Sequence, residues 1–193
     1  MSVRRYGNPR VAWTRPLTCR RWPMLKNIPP LLNPDALHAL ASMGHGDEVA
    51  IVDANFPAAR VAGAHGARLV QLSGADAPTV LRAVLTVLPL DDFGPEPVPP
   101  ARGARAPRGG AQAAWGGPAR PEAAWTMQVV GDAAAVPPPV AEFQIALREA
   151  GECEAVALER FAFYERAAAA FVVLRSGERR RYGNILLRKG VIG

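Results

Sequence analysis

His45 stands between two glycines in the segment MGHGDE, where a helix reads as ending, and Asp53 follows eight residues later at the carboxyl end of a buried strand. In α/β sheets that edge is where ligands bind. An imidazole that titrates near neutrality with a carboxylate nearby exchanges protons, which is general acid/base chemistry. Equally, His45 suits a C-cap role, donating to the last helical carbonyls. The spacing alone leaves both open. Polar and aromatic groups also concentrate in RFAFYERA (160–167) and RRYGNILLRKG (180–190). Arg160 offers a fixed fork of donors, Tyr182 a hydroxyl on a flat apolar face, and Asn184 a donor and an acceptor together. That set suits a polyhydroxylated ligand. Plainer roles compete: Phe161, Phe163 and Tyr164 as core aromatics, Glu165 and Arg166 as a solvated helix face, Gly183 and Asn184 as a turn before a last strand. Phe161 and Phe163 are expected in the core. The other histidines offer less, His38 being half-exposed within a helix and His65 lying in the glycine-flanked loop AGAHGA.

The elements that must position these residues follow from periodicity. Asn33 caps a short amphipathic helix, with Pro34 at its first position and Leu37, Leu40, Ala41 and Met43 on one face before Gly44. Glu48–Val52 is a near-continuous apolar run of the kind buried on both faces of a parallel sheet. Arg68–Leu72 reads as a second strand, and 78–88 as a helix with Val80, Leu81, Val84, Leu85 and Leu88 inward. Strands are expected at Thr126–Val130, Ala155–Leu158, Phe171–Leu174 and Ile185–Leu187. Helices are expected over Pro138–Ala150 and Phe163–Ala169. Alternating strands and helices predict an α/β fold, one three-layer α/β/α domain with a mostly parallel sheet.

The 193 residues and 49% apolar content fit one domain with spare length. No apolar run reaches the roughly 18 residues of a membrane span, so no membrane is expected as a partner. Cys19 and Cys153 lack the spacing of a zinc or redox pair, which leaves no disulfide framework and no cysteine-bound metal. The net charge of +6 invites a nucleic-acid reading until the charge is located. Residues 1–23 carry six arginines and no acid, and 94–126 carry +2, whereas 24–93 and 127–193 carry −3 and +1. The basicity thus sits in a 1–23 extension expected to be disordered, with the domain at 24–193, and in a Gly/Pro/Ala/Arg insertion at 94–124 too poor in aliphatic residues to bury a core. No nucleic-acid partner is expected.

Three segments resemble the L-fucose mutarotase and D-ribose pyranase family: MLKNIPPLLNPDALHALASMGHGDEVAIVDANFPA (24–58), RFAFYERA (160–167) and YGNILLRKGV (182–191). Arg160 stands where the pyranases typically have histidine, which favours the fucose branch. The resemblance implies His45 as proton donor, Asp53 as a sugar-binding carboxylate beside it, Arg160 as a ligand contact, and Tyr182, Gly183 and Asn184 as the strand-edge segment on the sugar. It implies a cytoplasmic protein that forms homo-oligomeric rings, commonly decamers, with each site near a subunit boundary, so that Tyr182 and Asn184 serve a neighbour's His45. Anomer exchange requires one group to protonate the ring oxygen while another takes the anomeric proton, and no cofactor. His45 is expected to protonate the ring oxygen, with Asp53 holding hydroxyls and biasing the imidazole toward its charged form. Tyr182 is expected on the anomeric side. Ribose pyranase activity and a non-catalytic monosaccharide-binding module are the alternatives; RNA binding through the basic segments would be steeply salt-dependent.

Overall fold

In a computed structural model, which describes residues 25–91 and 122–192, the central strand is β1 (Glu48–Val52). Its residues Val49 to Val52 are wholly buried because both faces are covered. Val49 and Ile51 pack into one apolar layer and Ala50 and Val52 into another, the period of two that a strand imposes. The elements run in the order α1 (Pro34–Ser42), β1, α2 (Ala58–His65), β2 (Arg68–Leu72), α3 (Ala77–Leu85), β3 (Ala124–Met127), α4 (Pro138–Glu149), β4 (Val156–Leu158), α5 (Arg160–Ala169), β5 (Val172–Ser176) and β6 (Ile185–Arg188). Residues of α1, α3 and α4 fill the first layer and those of α2 and α5 the second, so the expected α/β/α sandwich is present.

The sheet order is β2-β5-β1-β6-β3-β4. β5 lies parallel between β1 and β2, and β3 is parallel to β4, whereas β6 runs antiparallel to both neighbours, β1 and β3. The exception has a simple cause. β5 ends at the same edge as β1, and the chain re-enters the sheet at Ile185 without a helix, so the return is antiparallel.

The helices start as their sequences direct. The Asn33 side chain accepts from the Ala36 amide and the Asp76 side chain from the Thr79 amide, with a proline in the first turn of each helix. α2 was not anticipated. Its sequence AARVAGAH has one large apolar residue, Val61, so its apolar face is built mostly of alanine; it buries Ala58, Val61 and Ala62 and ends at Gly66, in the left-handed region at φ 77°. His65 therefore closes a helix rather than sitting in a loop.

Further expectations need correction. The insertion is expected over 94–124, yet Ala123 and Ala124 are buried and Ala124 opens β3; residues 94–121 of that segment and all of 1–23 lie outside the described residues. Phe161 is 67% exposed, because α5 starts at Arg160, three residues before the expected Phe163, and turns it outward, while Phe163 is fully buried. Arg166 is not a solvated residue: it donates to both Glu48 carboxylate oxygens, and its guanidinium lies 3.4 Å from the Trp125 ring centroid. Arg188 covers the same ring from 4.9 Å. Lysine has neither the flat face nor the fork. Arg166→Lys is expected to lower stability by about 1–2 kcal/mol, read as a shifted urea midpoint with an unchanged slope.

Candidate functional site

Asp53 is the first residue past β1, at the carboxyl edge of the sheet, and only 4% exposed. Its Oδ1 accepts from the Asn55 and Phe56 amides, each at 2.9 Å, which shapes the turn leading into α2. Its Oδ2 accepts from Asn184 Nδ2 at 2.9 Å, and its own amide donates to Asn184 Oδ1 at 2.9 Å. The pair is reciprocal: asparagine at 184 presents a donor and an acceptor to a carboxylate and an N–H. Asparagine at position 53 would set its NH2 against a donor in either orientation, the Asn184 NH2 or the Asn55 and Phe56 amides. Burial pushes the Asp53 carboxyl up from its ordinary value, against the opposing bonds from Asn55, Asn184, Phe56 and Gly183. The fold therefore holds this proton to higher pH than the unfolded chain, and the ionised carboxylate costs stability above the ordinary aspartate range.

The loop from Gly177 to Asn184 carries the rest of this wall. Ser176 Oγ donates to the Val52 carbonyl, and the Ala54 amide donates to the Glu178 carbonyl, so loop and strand end are stitched together. Glu178, 3% exposed, accepts from the Arg180 amide and from its guanidinium, and Arg180 also reaches Glu142. Arg180 hydrogen bonds hold the Glu178 carboxyl below its ordinary range. A Cβ at Gly183 would come within 2.5 Å of Glu178 Cγ and 3.5 Å of Asp53 Cβ, which explains glycine there. Tyr182 adopts φ +63°, a conformation that costs a bulky residue about 1 kcal/mol or more. That twist points its ring toward the second core layer, and its hydroxyl accepts from the Val130 amide at 3.3 Å.

These elements enclose a cleft of about 430 Å3, a volume usual for small-molecule sites. Asp53, Arg160, Tyr182 and Asn184, all singled out from the sequence, line it together, with Gly183 packed behind. Phe56, Met127 and Tyr164 add apolar surface. Arg160 rests over the rings of Phe161 and Tyr164, at 5.3 and 5.9 Å from their centroids. Sequence reasoning passed over Arg179, Arg181 and Asn55, which also line the cleft; the SGERRRYGN run was the available signal.

His45 is not in this cleft. It lies before the start of β1, while Asp53 lies after its end; at about 3.3 Å per residue the five-residue strand alone separates them by roughly 15 Å. Asp53 does not stand beside the imidazole of its own chain. The carboxylate that faces it is Asp91, 4% exposed, whose Oδ1 lies 3.4 Å from His45 Nε2. Asp91 escaped notice because it sits 46 residues away, brought there by the bridge between Leu90 and Lys189 and by the Gly46 amide donating to the Lys189 carbonyl. His38 instead contacts Arg68 on the surface. Among the described residues no cluster of three or more His, Cys, Asp or Glu could hold a metal ion, and no helix is long and apolar enough to cross a membrane.

Residues 26–192 match the RbsD / FucU transport protein family. The human fucose mutarotase is 38% identical over 177 residues, covering 87% of this chain and 94% of that protein. Among solved structures, FucU from Bifidobacterium longum superposes with a TM-score of 0.67 at 33% identity, covering 87% of this chain and 100% of that one. The fucose mutarotase from Streptococcus pneumoniae in complex with L-fucose also gives 0.67, at 30% identity, covering 88% of this chain and 100% of that one.

Because Glu178 is held ionised in the fold, its contribution is present above the ordinary glutamate range and lost as pH falls through the depressed value. Glu178→Gln is expected to cost about 2 kcal/mol at neutral pH. Chemical denaturation of both proteins at several pH values should show this gap closing in acid.

Proposed function

The chain belongs to the RbsD / FucU transport protein family, and from that premise we propose that it is a sugar mutarotase that interconverts the α and β anomers of L-fucose. The observation that carries this is the convergence of Asp53, Arg160, Tyr182 and Asn184 on one cleft, a set rich in fixed donors and acceptors with an apolar floor. Similarity to the human and pneumococcal fucose mutarotases supports fucose as the sugar.

In this reading Asp53 accepts from sugar hydroxyls with the lone pairs left over from Asn55, Phe56 and Asn184, and Asn184 and Arg160 fix the ring's orientation. Opening the hemiacetal moves one proton onto the ring oxygen and one off the anomeric hydroxyl; the aldehyde then rotates and recloses. Tyr182 handles the anomeric proton, directly or through a water. The acid is His45, and since β1 keeps it from its own cleft, it comes from a neighbouring copy. Each subunit then offers a cleft at one end of β1 and an imidazole with its Asp91 at the other. Such a head-to-tail contact closes into a ring, here a decameric one, in the cytoplasm.

Saturation-transfer proton NMR on L-fucose tests this. The wild-type protein should accelerate anomeric exchange, more for L-fucose than for D-ribose, and His45→Ala and Asp53→Ala should each abolish the acceleration. Dissociating the two variants and reassembling them together should restore roughly a quarter of the wild-type rate, because random pairing reunites an intact cleft with an intact histidine at that frequency. Two variants that remain inactive in a mixed oligomer would sink the shared site, and wild-type rates in both would sink the residue assignment.

A further inference from the structure

The cleft carries more positive charge than a neutral sugar requires. Arg160 enters it from the first residue of α5, and Arg179 and Arg181 enter from the loop before Tyr182. The run Arg179-Arg180-Arg181 divides its labour. Arg180 is bound by two carboxylates, Glu178 and Glu142, whereas Arg160, Arg179 and Arg181 form no ion pair among the described residues. The three are exposed, and the planar group of Arg160 is held over two aromatic rings, leaving its N–H edges for a ligand. Against these three cations the cleft lining holds one carboxylate, Asp53, whose oxygens already take three hydrogen bonds. Hydroxyl groups are served equally well by amides and by Tyr182. Guanidiniums gathered on one cavity without an internal acceptor match instead the paired oxygens of a carboxylate or phosphate, which also relieves their mutual repulsion.

We propose that the cleft also takes reducing monosaccharides that carry an anionic group, a carboxylate or a phosphate, on a carbon away from the anomeric centre, with Arg179 and Arg181 holding that group. The inference rests on the reading of the cleft as a sugar site. The reaction is the same ring opening and closure: one proton reaches the ring oxygen, one leaves the anomeric hydroxyl, both return, and the anionic group takes no part in bond making.

The test uses the assembled full-length protein and sugars of one configuration that differ only at carbon 6: L-fucose, L-galactose, L-galacturonate and L-galactose 6-phosphate. Anomeric exchange is measured by saturation transfer at low salt and at high salt. At least one of the two anionic sugars should exchange about tenfold faster than L-galactose at low salt, an advantage that shrinks at high salt. Whichever sugar gains identifies carboxylate or phosphate as the better fit. In the variant Arg179→Gln/Arg181→Gln the advantage should disappear while the L-fucose rate stays within about twofold. Acceleration of L-fucose with no advantage for either anionic sugar would overturn this proposal and leave the mutarotase reading standing. An equal loss for L-fucose and the anionic sugars in the double variant would also overturn it, and acceleration of no sugar at all would overturn both readings.

Discussion

The reciprocal pair between Asp53 and Asn184 is the constraint around which one end of the molecule is arranged, since it joins the end of β1 to the residue just before β6. A buried carboxylate is costly, and here burial raises its pKa even though Asn55, Phe56 and Asn184 all donate to it. That cost is offset by how much the pair organises. Oδ1 sets the turn into α2, Oδ2 fixes the amide of Asn184, and Gly183 is left no room for a side chain between Asp53 and Glu178. Tyr182, immediately before, is held in the left-handed region, a strain of the kind found where a side chain must be aimed at a site.

The opposite end of β1 is organised by charge rather than by amide pairing. Glu48 takes a bidentate bond from Arg166, Arg188 approaches both Glu48 and Asp91, and Asp91 faces His45. Both guanidiniums lie against the Trp125 ring, which donates its indole N–H to Glu122. The imidazole is thereby tied to a lattice that crosses β1, β3 and β6. Two polar clusters of different construction thus sit at the two ends of one buried strand, and the proposed mechanism joins them across a subunit boundary.

Much of the fold was legible because its signals are local. The EVAIV run, the Asn33 cap and the inward stripe of Val80, Leu81, Val84 and Leu88 each announce an element, and all four residues of that stripe are buried. What escaped depends on contacts distant in sequence. Alanine-rich α2 is held by packing against α5, and its apolar face carries a single large side chain, Val61. Arg166 looks like any helix-surface arginine until Glu48 and Trp125 are brought to it. The residues of the cleft were largely found from their chemistry, Asp53, Arg160, Tyr182 and Asn184 among them, but linear spacing misjudged the relation of His45 to Asp53. Eight residues are close in sequence; an intervening extended strand turns that interval into a span across the domain.

That span is set by the sheet. Val49 to Val52 are fully buried and Val49 to Ile51 are paired on both sides, so the two ends of β1 are held a strand's length apart. A protein whose acid and sugar-binding groups lie on one hinge can be regulated by closure within the chain; one whose groups are fixed at opposite ends of a buried strand cannot. Under the proposed arrangement the working unit is the contact between copies, so an open row of subunits holds one fewer complete site than it has chains. The fraction of complete sites then becomes a function of protein concentration, and expression level itself becomes the control on specific activity.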